Sequence, residues 1–137
     1  MKCVEKYDFC MDTVVYQKVY GKNAEEAIDE ATRKIRYLEG KLSFFQEESD
    51  IFQINIHAGK NWVKVSQDTI DVLQKAVEVS KSSNGAFDVT VGVLTDYWRQ
   101  LKKNQKKPDK NQIQNLISLI NYRDILINSE ERLVKLI

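Results

Sequence analysis

The 137-residue chain holds one proline, five glycines, two cysteines and one histidine, and each scarcity removes a class of protein. So little proline and glycine leaves no room for a low-complexity linker. The length therefore reads as one domain with enough chain to bury a core. Cys3 and Cys10 are too few for a disulfide framework and have no Cys/His cluster around them, so they read as unpaired strand residues. With His57 alone, a His-based metal site or catalytic dyad has no support, and His57 reads as a surface loop residue. No Walker loop or dinucleotide-binding glycine pattern occurs. A net charge of +1 argues against a dedicated nucleic-acid binder. No run approaches the length of a transmembrane helix. The N-terminus has no apolar signal core, and nothing hydrophobic precedes Cys3 as a lipoprotein cysteine requires. This reads as a cytoplasmic form, or as a chain whose natural start has been lost.

What is present is ordinary globular composition, 42% hydrophobic and 30% charged. Val4 to Cys10 and the Val/Tyr-rich Thr13 to Tyr20 predict two strands, closed by Gly21. Asn23 with Glu26 predicts a capping box. Ile28, Ala31, Ile35, Leu38 and Leu42 then predict an amphipathic helix over 24–42. Residues 43–55 read as a loop followed by a short helical turn, and Trp62 to Val65 as a short strand. Ser66 predicts the cap of a helix with Ile70, Leu73, Ala76, Val77 and Ser80 on one face, stopped by a left-handed Asn84-Gly85. Val93, Leu94, Tyr97 and Trp98 continue at helical spacing. A third helix over roughly 109–121 is expected to bury Ile113, Leu116, Ile117 and Ile120. Asp124 to Asn128 and Arg132 to Ile137 predict a hairpin across Ser129-Glu130-Glu131. The pattern is α+β, with helices packed on a mixed or antiparallel sheet.

Few segments suggest chemistry. The run Gly85-Ala86-Phe87-Asp88-Val89-Thr90-Val91-Gly92 sets one carboxylate in an apolar, glycine-bracketed stretch. It reads either as a ligand-facing turn or as a tight turn into a strand with Asp88 bonding a nearby backbone N–H. Glu47, Glu48 and Asp50 read as an acid/base group or, more plainly, as a solvated loop. The five lysines of 101–110 read as a phosphate or membrane patch, or as a solvated loop. The apolar stretch ending at Ile137 reads as an edge strand that ends the fold, or as a sign that the chain is the first part of a longer protein. In the second case an exposed terminal strand would allow self-association.

Several stretches taken together resemble the N-terminal half of the FAD:protein FMN transferase (ApbE) family. Met11-Asp12-Thr13 resembles its Met-Gly-Thr. Leu38-Glu39, Leu42-Ser43, Ser49 and Asn55 resemble its Leu-Glu, Leu-Ser and Ser…Asn positions. The octapeptide 85–92, with Leu94 and Trp98 after it, resembles its N-terminal signature, and Tyr122 matches a tyrosine before the hairpin. Asp12 stands where the family has glycine, and Val93 where it often has proline. The resemblance implies an ApbE-like, T-fold-related architecture, incomplete at the C-terminus. It implies transfer of FMN from FAD to a Thr or Ser of an acceptor flavoprotein with release of AMP. It places flavin contacts on Met11, Phe45, Ala86, Phe87 and Asp88. It also implies Mg2+, with its ligands and the catalytic groups outside these residues, so that this chain alone would be inactive. A non-catalytic flavin- or partner-binding remnant of the fold, and a structural α+β domain whose 85–92 turn only looks like a site, remain alternatives.

Overall fold

The computed structural model describes residues 2–137. The described residues form an α+β fold built from two antiparallel sheets and five helices. Strands β1 (Cys3–Cys10) and β2 (Thr13–Tyr20) pair as a hairpin in the register Cys10↔Thr13 to Cys3↔Tyr20. Helix α1 (Ala24–Leu42) packs across one face of that hairpin. Ala24, Ile28 and Thr32 form its deepest line, while Ala31, Ile35, Leu38 and Leu42 are half-buried. The polar Thr32 is tolerated there because its hydroxyl donates to the Ile28 carbonyl at 2.8 Å. Asn23 begins α1 without a side-chain cap, contrary to the capping box expected. Its backbone is not in the extended region from which an N-cap side chain reaches the next turn.

The second half holds the main core. Helix α2 (Asp50–Ile56), strand β3 (Val63–Lys64) and helix α3 (Gln67–Ser82) precede helix α4 (Gly92–Lys103) and helix α5 (Lys110–Ile117). Strands β4 (Ile125–Asn128) and β5 (Leu133–Leu136) close the chain as the expected hairpin. The sheet order is β3-β5-β4, so the terminal strand is central. This corrects the expected exposed edge: Val134 is fully buried between β3 and β4, and β5 offers no open edge for self-association. Ile54, Val65, Ile70, Leu73 and Val134 form one apolar cluster. Ser66 caps α3 by accepting from the Thr69 amide. Asn84 and Gly85 end it with positive φ, as the dipeptide predicts. Asp109 caps α5, but Ile117 is half-exposed rather than buried because the helix stops there and turns. Cys3 and Cys10 are free, and His57 sits at the C-terminal end of α2 with its Nδ1 2.9 Å from the Gln53 carbonyl oxygen. Among the described residues no helix is long and apolar enough to cross a membrane.

Candidate functional site

Met11 and Asp12 form the tip of the first hairpin, both with positive φ (53° and 57°). A two-residue hairpin turn with that geometry favours glycine or asparagine, and an ordinary side chain there is strained. Glu39 holds the turn in place: its Oε1 accepts from the Met11 amide at 2.7 Å. The matched Leu38-Glu39 pair therefore positions the matched Met11.

Phe45 lies in the loop between α1 and α2. Ser43 Oγ accepts from the amides of Phe45 and Gln46, and the buried Ser49 donates to the Ser43 carbonyl while capping α2. The two matched serines thus lace the loop that presents Phe44 and Phe45, whose rings meet edge to face at 5.1 Å. Asp50 follows and is buried, which corrects its reading as part of a solvated acidic loop; Glu47 and Glu48 are exposed. Burial alone would raise the Asp50 pKa. The Ser66 amide at 2.8 Å, the Thr69 hydroxyl at 2.7 Å and the nearby Lys41 outweigh it and hold the carboxyl below its usual value. Its role is to tie α2 to the start of α3.

The octapeptide does not run into a strand. Val89–Val91 is a 3-10 turn that leads directly into α4. Asp88 caps that turn. Its Oδ1 accepts from the amide and hydroxyl of Thr90 at 2.9 and 2.6 Å, and its Oδ2 accepts from the Tyr122 amide at 2.9 Å. Thr90 Oγ1 in turn accepts from the Asn121 amide. Asp88 is therefore half-buried and fastens the 85–92 run to the segment before β4. Gly85 packs beside the ring of the buried Tyr122, where a Cβ would lie 3.9 Å from a ring carbon. Ala86 and Phe87 are left on the surface, the latter with its amide donated to Ser83 Oγ.

Helix α4 joins the three segments. A Cβ at Gly92 would come within 3.1 Å of the Phe44 ring, so the glycine is what lets that ring approach. Two helical turns later, on the same face, the Arg99 guanidinium stacks 4.0 Å from the Phe45 ring centroid and reaches Asp12 at 3.9 Å. Turn 11–12, loop 43–46 and the end of the 85–92 run are thereby gathered on one side of the molecule. Phe45, Phe87 and Met11 remain 49%, 46% and 43% exposed, each an apolar side chain that faces solvent. Arg99 was not visible as a site residue, because only the folded hairpin and loop reveal what its face of α4 meets. Two surface grooves lie elsewhere, one between α3 and β4 and the other between β1 and α1. Among the described residues no group of three or more His, Cys, Asp or Glu side chains is placed to hold a metal ion.

The α+β domain thus gathers a methionine turn, an aromatic loop and the end of a glycine-bracketed acidic turn. The model of the ApbE family matches residues 11–137, and the chain belongs to that family. It is 29% identical over 69 residues to the FAD:protein FMN transferase of Vibrio cholerae, a match covering 50% of this chain and 21% of that protein. It is 25% identical over 118 residues to the protein of that name from Klebsiella pneumoniae, covering 86% and 37%. The solved ApbE protein of Thermotoga maritima superposes with a TM-score of 0.89 at 25% identity, covering 98% of this chain and 45% of that one. The chain thus spans less than half the length of these relatives.

Proposed function

We propose that residues 1–137 are the N-terminal part of an FAD:protein FMN transferase domain and supply its flavin-facing loops. In the reaction, a Thr or Ser hydroxyl of an acceptor flavoprotein attacks the FMN phosphorus of FAD. The bond to AMP breaks, AMP leaves, and the hydroxyl proton is lost to a base. Met11, Phe45, Ala86 and Phe87 are the ring-covering and close-approach groups, and Asp88 fixes the turn that presents the last two. Mg2+ would neutralise diphosphate charge during the transfer. The observation that carries the reading is the convergence of the three matched segments through the Phe44–Gly92 and Phe45–Arg99–Asp12 contacts. No residue here is assigned to the transfer step, so the chain by itself should bind FAD without releasing AMP. Titration with FAD, read by quenching of flavin fluorescence, tests this. Saturable quenching that Phe45→Ala weakens supports the reading, and no quenching by the wild-type chain overturns it. AMP release by the chain alone would overturn the division of labour.

A further inference from the structure

The three loops of the candidate site carry the wrong charge for a dinucleotide. Residues 11–12, 43–46 and 85–92 include Asp12 and Asp88 and no lysine or arginine. A diphosphate brought against carboxylates alone is repelled unless a cation stands between them. Arg99 is the cation that α4 delivers. Its guanidinium carbon stands 4.0 Å from the Phe45 ring centroid, and the same face of α4 carries Gly92 against Phe44.

We propose that Arg99 is the phosphate-recognising residue of this site and sets its preference for a flavin nucleotide over free riboflavin. The proposal rests on the flavin reading above and extends it. The present anionic partner of Arg99 is weakly held. Asp12 is 3.9 Å away, the two side chains are 82% and 51% exposed, and solvent and salt screen such a pair. A phosphate offers the planar guanidinium two parallel hydrogen bonds, which a carboxylate at that distance does not. Asp12 is thus a competitor for the phosphate. It keeps Arg99 against the loop and lowers the affinity that Arg99 would otherwise confer.

Riboflavin and FAD, titrated separately into the 137-residue chain, test the assignment. Wild type should bind FAD more tightly than riboflavin. Arg99→Ala should weaken FAD about tenfold more than it weakens riboflavin and so abolish the preference. Arg99→Lys should restore part of it, and Asp12→Asn should strengthen FAD binding several-fold, most at low salt. Both positions are exposed, and far-UV circular dichroism confirms that the variants fold. If Arg99→Ala weakens both ligands equally, Arg99 only packs Phe45 and the assignment is overturned. Riboflavin binding without a preference for FAD overturns it while leaving the flavin reading intact. Binding of neither ligand by wild type overturns the flavin reading and this assignment with it.

Discussion

The two sheets of this molecule are built on opposite principles. The β3-β5-β4 sheet turns its apolar residues inward, with Val134 and Ile70 fully buried between strands and helix. The β1–β2 hairpin presents to α1 a face that includes Lys6, Asp8 and Gln17, bonded to Asp29, Arg36 and Thr32. Its outer face carries Tyr7, Phe9, Val14, Tyr16 and Tyr20, and Tyr7 and Tyr16 stack across the strands at 4.7 Å. On that same face Lys18 pairs with Glu5 at 2.6 Å, which lowers the Glu5 pKa and raises that of Lys18. The β3-β5-β4 sheet is stabilised chiefly by burial. The hairpin depends on strand pairing and on a polar seam that fixes how the Met11-Asp12 tip is aimed. A candidate site at the junction of the two takes its rigidity from one and its placement from the other.

The comparison can be broken by mutation. In urea unfolding, Ile70→Ala should cost about 2–5 kcal/mol, whereas Phe9→Ser on the outer hairpin face should cost less than about 1 kcal/mol. Equal losses would mean that the hairpin's outer face is part of a core after all. Next in size is Asp50, the buried tie between α2 and α3. Asp50→Asn should cost about 1–3 kcal/mol near neutral pH. The sign of its pH dependence follows from its lowered folded-state pKa. The unfolded chain binds the proton more readily, so the contribution is complete above the ordinary carboxylate range near pH 4. It is lost as pH falls through the lower folded value. The stability gap between wild type and Asp50→Asn should therefore narrow in acid. A gap independent of pH down to about pH 2 would contradict this account of Asp50.

Much of this was legible in the residues. The hairpin strands, α1, the Ser66 cap, the Asn84-Gly85 stop and the terminal hairpin follow from local chemistry that tertiary packing did not override. Other features depend on partners distant in sequence. Asp50 looks solvated in a run of acids, and only Ser66 and Thr69 make it a buried anchor. The final strand looks like an edge until β3 is seen to pair with it. Alternation along β1 and β2 shows that their two faces differ, but not which of them meets α1. The matched motif residues Glu39, Ser43, Ser49 and Asp88 were legible as a resemblance. Their work as supports for Met11, Phe45 and the 85–92 turn was not, because each acts through a hydrogen bond that exists only in the fold.

The most direct test of the central claim, that three separate segments form one flavin-facing surface, is backbone amide chemical-shift mapping during titration with FAD. The account predicts shifts at Met11 and Asp12, at residues 44–46 and across residues 85–92, with the outer face of the β1–β2 hairpin and the α3–β4 groove unmoved. Shifts confined to that hairpin face or that groove, or shifts at only one of the three segments, would contradict it.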